Sequence, residues 1–217
     1  GGPVFCTEAT ADLCRILLPD SGHLHEEDAE RANRRGYSRH KPALPLYSER
    51  DAVRALAQLV PKRYDEDFAA APGLAARFSP AGHILGSAIV KLSTGAAQIV
   101  FSGDLGRPND PIMRPPSLIE TADYLVLEST YGDRRHDDSE PHLALGEIIS
   151  RTAKRGGVVI VPTFAVGRAQ SLLYCIRRLK QEGRIADDLP IFLNSPMAKD
   201  VTEIYHKHRA EHRLTRE

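Results

Sequence analysis

Two glycine-flanked segments carry the side chains best placed to do chemistry. Ser79-Pro-Ala-Gly-His83-Ile-Leu-Gly-Ser87 offers an imidazole, and Phe101-Ser-Gly-Asp104-Leu-Gly106 offers a carboxylate. These are donors that a borderline divalent cation such as zinc accepts. Catalytic zinc takes about three protein ligands and structural zinc four, so His83 and Asp104 would be part of a metal centre. Glu128 closes the apolar run Tyr124-Leu-Val-Leu127, where a carboxylate can orient a histidine or relay a proton. Each residue also has a plain structural use: Asp104 as a turn former, His83 as a satisfied loop histidine, Glu128 as a cap.

Two later segments are suited to anions. Pro162-Thr163-Phe-Ala-Val-Gly167-Arg168 and Asn194-Ser195-Pro196-Met197 each join an apolar run to a helical pattern. Backbone N–H groups at such helix starts attract phosphate, which makes Thr163, Arg168 and Ser195 candidate substrate contacts. Ser195 before Pro196 is equally a good N-cap with proline in the first turn. Neither segment has the G-x-x-x-x-G-K-[ST] pattern, which argues against nucleotide hydrolysis.

The elements that must position these groups can be read from periodicity. Residues 3–6 read as a strand and 8–18 as a helix closed by Pro19-Asp20-Ser21-Gly22. A polar helix follows over 24–35, acidic at its start and basic at its end, as the helix dipole favours. Its basic tail (Arg31, Arg34, Arg35, then Arg39, His40 and Lys41) is a candidate phosphate-contacting patch, and a solvated face explains it as well. Ser48 reads as the N-cap of a helix over 48–59. Strands are expected at 75–78, 87–93 and 98–102, with Thr94-Gly95 turning a hairpin that links the His83 and Asp104 segments. Beyond residue 124 strands (124–128, 158–162, 191–194) alternate with helices (141–154, 166–181, 197–208). That alternation implies parallel strands with crossover helices, and an α/β fold.

Composition narrows the class. Twenty-nine Lys and Arg balance 29 Asp and Glu, so no overall field draws the chain to nucleic acid or to an anionic membrane. Any polyanion site must be a local patch. Cys6, Cys14 and Cys175 form no CxxC pair and no disulfide framework, which fits a reducing cytoplasm. No apolar run approaches the ~18–20 residues of a membrane span, and no membrane partner is expected.

Taken in order, the motifs form a pattern. They begin with Pro3-Val-Phe-Cys-Thr-Glu-Ala-Thr10 and Leu18-Pro-Asp-Ser21 with Glu26-Glu-Asp-Ala29, and continue through the His83 and Asp104 segments. Glu128-Ser-Thr-Tyr-Gly132-Asp-Arg134, Pro162-Thr-Phe-Ala165 and Ser195-Pro-Met-Ala198 complete them. Together they resemble the metallo-β-lactamase superfamily, and within it the β-CASP branch of RNA nucleases related to the pre-mRNA cleavage-and-polyadenylation endonuclease. The resemblance implies part of a lactamase-type αββα sandwich over residues 1–161, leading into the start of a Rossmann-like β-CASP domain over 162–217. It implies that His83 is the family's single-histidine metal ligand, Asp104 the carboxylate bridging two zinc ions, and Glu128 the acidic residue that opens the β-CASP motif series. The implied activity is zinc-dependent hydrolysis of single-stranded RNA, endo- or exonucleolytic. The alternative is a non-catalytic β-CASP scaffold that binds RNA or a partner nuclease; a glyoxalase-type thioesterase fits the later motifs less well.

One departure from the pattern matters. The family's H-x-H-x-D-H signature precedes the segment like Pro3-Val-Phe-Cys-Thr-Glu-Ala-Thr10, and here the only H-x-H near the start is His23-Leu-His25, followed by Glu26, Glu27 and Asp28. The chain is therefore expected to be an internal stretch of such a nuclease, to bind zinc weakly and to be inactive alone. Apolar surface left uncovered would favour a homodimer. His206, His208 and His212, on or beyond the last helix, are expected at the surface.

Overall fold

The computed structural model describes residues 2–135 and 141–214 as a mixed α/β structure. Strand β1 (Val4–Thr7) runs directly into helix α1 (Glu8–Arg35), capped by Thr7, whose hydroxyl oxygen accepts the Thr10 N–H at 3.2 Å. Helix α1 is continuous for 28 residues, which corrects the expectation of two helices broken at Pro19-Asp20-Ser21-Gly22. The reason is tertiary. A Cβ on Gly22 would meet the Ser48 and Glu49 backbone at 2.6–2.8 Å, so the start of helix α2 (Glu49–Leu56) crosses α1 at that glycine. Tyr47 donates its hydroxyl to Ser21 at 2.7 Å, and the Glu26 carboxylate accepts the Glu49 N–H at 3.1 Å. Pro19 forfeits one helical hydrogen bond, a local cost that this docking offsets. The turn-like residues are a platform for α2.

Ser48 caps α2 in a full capping box with Asp51. Ser48→Ala should cost about 1 kcal/mol in urea unfolding, since the hydroxyl that accepts the Asp51 N–H and donates to the Asp51 carboxylate is lost, while the backbone N–H of residue 48 keeps its bond to that carboxylate. The helix ends at Leu56 because a short unanticipated strand, β2 (Leu59–Lys62), pairs parallel with β1.

The main sheet has the order β3 (Asp67–Ala71), β4 (Leu74–Pro80), β5 (Ala88–Ser93), β6 (Gln98–Phe101) and β7 (Tyr124–Val126). The first four strands are antiparallel neighbours, and β7 lies parallel beside β6. The hairpin between β5 and β6 is closed by Thr94, as its sequence implied. It returns the chain so that the loops following β4 and β6 meet at one end of the sheet.

Helices α3 (Pro141–Lys154), α4 (Arg168–Gln181) and α5 (Pro196–Lys207) lie where periodicity put them, and α5 is followed by a 3-10 turn (Arg209–Glu211). The strands expected at 158–162 and 191–194 are not formed among the described residues. Both stretches have the all-round apolar character of a buried parallel strand, but such a strand forms only with neighbours to pair and cover it. Here Ile160 and Phe192 are each 87% exposed, and β7 is open on its outer side.

Two apolar clusters hold the rest. Ala9, Leu13, Leu85, Ile112, Met113, Val201 and Tyr205 gather α1, the loop after β4, the 112–113 segment and α5 into one core. Ile149, Ile176, Leu179 and Ile185 join α3 to α4. No helix among the described residues is long and apolar enough to cross a membrane.

Candidate metal-binding edge

His83 sits in a tight loop between β4 and β5. Its own N–H and that of Ile84 both donate to the Ser87 hydroxyl, at 3.1 and 3.2 Å, and the Ser87 N–H returns to the Ile84 carbonyl at 3.0 Å. Glycines make this loop possible. Gly82 and Gly86 have φ of +69° and +83°, where only glycine is at ease. Leu85 points inward and is 1% exposed, which nails the loop to the larger core.

The Asp104 loop is pressed against it. The Gly106 N–H donates to the Ala81 carbonyl at 2.8 Å, and a Cβ on Gly106 would overlap the Gly82 carbonyl. This contact brings His83 Nε2 to 3.9 Å from Asp104 Oδ2, with both side chains open to solvent. Donors on one tetrahedral zinc lie about 3.3–3.5 Å apart, so a small side-chain rotation would let the two share a cation. Glu128 does different work. Its Oε1 accepts the Leu105 N–H at 2.6 Å, and its own N–H donates to the Ser102 hydroxyl at 2.9 Å. It therefore braces the Asp104 loop from the strand side. Among the described residues no group of three or more His, Cys, Asp or Glu side chains could hold a metal ion. Among the described residues the donor types of His83 and Asp104 suit zinc as two of its ligands.

The Leu105 N–H, then the Thr130 hydroxyl, hold the Glu128 carboxyl below its ordinary 4.5, with His83 a lesser contributor. A carboxylate depressed by folding stabilises above its unfolded pKa, and the contribution is lost as pH falls through the folded value. The Leu105 amide resonance should accordingly titrate with a midpoint below 4.5 in an acid series followed by NMR. In Glu128→Gln that inflection should disappear.

The candidate substrate contacts fall into two groups. Arg168 opens α4, exposed, after Gly167 at φ +77°; a Cβ on Gly167 would meet the Ile84 side chain at 3.1 Å. The Arg168 loop thus abuts the His83 loop. Ser195 spends its hydroxyl accepting the Ala198 N–H at 3.1 Å as the cap of α5, and Thr163 is exposed in the extended stretch before α4. No hydrogen bond or ion pair among the described residues joins either to His83, Asp104 or Glu128.

Of the three histidines near the end of the chain, His206 is exposed as expected, while His208 and His212 correct the surface expectation. His212 is 5% exposed with its Nε2 at 2.8 Å from the Tyr205 carbonyl. The His208 side chain is 10% exposed, between Asp12 Oδ2 at 2.7 Å and Glu211 Oε1 at 3.3 Å. Sequence reading missed Glu211 and Asp12 altogether. The one available signal was the His208/Glu211 spacing of three, which puts the pair on one helical face.

Comparison with known proteins shows what the chain is similar to. Residues 169–217 match the Beta-Casp domain family model. The match takes in α4 from Ala169, α5 and the 3-10 turn that follows it. The chain's similarity to single relatives extends over nearly the whole sequence. It is 36% identical over 205 residues to Ribonuclease TTHA0252 of Thermus thermophilus, covering 94% of this chain and 43% of that protein. It is 30% identical to the Transcription termination factor FttA of Methanosarcina mazei, covering 95% and 31%, and 30% identical to an RNase J-like protein of Methanocaldococcus jannaschii, covering 89% and 42%. The chain spans less than half the length of these relatives.

Proposed function

We propose that this chain contributes one side of the active site of a metal-dependent ribonuclease. The observation that carries the reading is the convergence of His83 and Asp104 at one sheet end, on loops held together by Gly106 and braced by Glu128. It is supported by relatives named as ribonucleases over the same stretch. In this reading residues 1–161 belong to a lactamase-type sandwich and 162–217 begin a β-CASP domain. His83 and Asp104 would be metal ligands, Asp104 as the carboxylate that two ions would share. Bound zinc would supply Lewis-acid polarisation of a phosphodiester and a nucleophilic water at neutral pH. Glu128 keeps the Asp104 loop in register, and Arg168 beside Ile84 takes a phosphate of single-stranded RNA. In this reading Thr163, in the extended stretch before α4, and Ser195, at the cap of α5, also contact the substrate. The working compartment is a reducing cytoplasm, and the open apolar stretches around Ile160 and Phe192 favour self-association.

The scaffold reading has one observation in its favour, the absence of a three-donor cluster among the described residues. Cleavage separates the two. A polypeptide joining this sequence to an upstream H-x-H-x-D-H segment should cleave labelled single-stranded RNA with added zinc, and Asp104→Asn should lower turnover at least a hundredfold. Equal cleavage by the Asp104→Asn variant would remove Asp104 from the site. RNA binding without cleavage by the parent sequence would favour the scaffold. Arg168→Glu should weaken RNA binding and flatten its dependence on salt, since one phosphate contact is lost.

A further inference from the structure

We infer that Glu211 is a positioning residue for His83, acting through the backbone of Gly86. The inference rests on reading His83 as a site residue; the geometry behind it does not. Gly86 is the pivot of the His83 loop, and it is clamped on both sides. Its carbonyl accepts the hydroxyls of Thr7 and Thr10, at 2.8 and 3.0 Å. Its N–H donates to Glu211 Oε2 at 3.1 Å. Space for any other residue is missing, because a Cβ there would lie 2.6 Å from the Thr10 hydroxyl and 2.7 Å from its N.

Glu211 is itself held from three directions. Tyr64 reaches the same oxygen at 3.4 Å while donating to the Ser87 carbonyl at 3.0 Å, so it spans the carboxylate and the far end of the loop. His208 Nδ1 lies 3.3 Å from Glu211 Oε1, and its Nε2 lies 2.7 Å from Asp12 Oδ2, which also takes Lys207 at 2.6 Å. The chain of contacts runs from α1 through His208 and Glu211 to Gly86, then by the Ser87 hydroxyl to the His83 backbone. Burial raises the Glu211 carboxyl pKa, with the Gly86 N–H and His208 opposing it, so the fold spends stability to keep this acceptor where it is. Glu211 lies inside the Beta-Casp match and His83 outside it, so the latch makes placement of the histidine depend on docking of α5 and its following turn.

A merely structural ion network would stabilise the chain without singling out the loop, and the test separates these cases without metal or RNA. Amide hydrogen exchange and His83 imidazole NMR shifts are measured on the 217-residue chain as wild type, Glu211→Ala, Glu211→Gln and Ile149→Ala. The last opens the distant α3–α4 cluster and controls for general destabilisation. Glu211→Ala should speed exchange at Gly86 and Ser87 at least tenfold and shift the His83 ring signals. Glu211→Gln, whose amide oxygen still accepts the Gly86 N–H, should restore both, and Ile149→Ala should leave the His83 signals in place. Should Glu211→Ala fail to fold, Glu211→Asp keeps the charge but withdraws the acceptor, and should show the same local loosening. Unchanged exchange at Gly86, or equal effects of Glu211→Ala and Ile149→Ala on His83, would overturn the inference. Failure of zinc to bind at His83 would instead count against the metal reading and leave the latch standing.

Discussion

Replacing Gly106 by alanine should cost about 3 kcal/mol or more and separate the two halves of the site. A new Cβ there cannot be absorbed by a side-chain swing, because what it meets is the Gly82 carbonyl and the start of the His83 backbone. Relief requires moving the Asp104 loop away from the His83 loop. That breaks the Gly106–Ala81 hydrogen bond and lengthens the 3.9 Å approach of His83 to Asp104. Urea unfolding should show the loss as a lower midpoint. An alanine at Gly95, where nothing lies within 4 Å of a Cβ, should change the stability by well under 1 kcal/mol and leave the midpoint nearly where it is. Equal midpoints for the two variants would mean that the loops are not packed as described.

Asp12→Ala is the second large effect, expected at about 1–3 kcal/mol. Burial favours the neutral form of Asp12, but hydrogen bonds from Lys207 and His208 outweigh it and hold the carboxyl below its ordinary 3.8. Its side chain is 21% exposed, so the cost falls short of that for a wholly buried pair. Removing it strands the His208 ring beside Glu211. The sign in pH follows from the depressed pKa: the contribution is present above 3.8 and is lost as pH falls through the folded value. Wild type and Asp12→Ala should thus converge in stability toward low pH and separate above about 4. Curves that stay parallel through the acid range would show that the carboxylate's ionisation contributes nothing.

Much of this could be read from the chain, for identifiable reasons. His83, Asp104 and Glu128 stand out because each closes or follows a strand in a local pattern of glycines, and the hairpin between the first two is encoded by adjacent residues. Ser48 and Ser195 announce their caps in the next three positions. What was not legible depends on distant partners. Gly22 read as a helix stop because its role, admitting α2, is set by Ser48 and Glu49. Residues 158–162 and 191–194 have strand composition, but a strand needs a neighbour, and composition does not say whether one is present. The Asp12–His208–Glu211 chain joins residues nearly two hundred positions apart through a loop in the middle, and no local pattern signals such closure.

The central claim, that His83 and Asp104 form part of a zinc site, is tested most directly by titrating zinc into the 217-residue chain while following its NMR spectrum and its action on labelled single-stranded RNA. The expected result is a weak, roughly millimolar response centred on His83 and Asp104 with no cleavage, because two protein donors fall short of the three a catalytic zinc takes. In His83→Ala that response should vanish. A spectrum in which zinc leaves His83 and Asp104 untouched would contradict the site. So would tight stoichiometric binding with RNA cleavage, which would require a complete metal centre built from other residues.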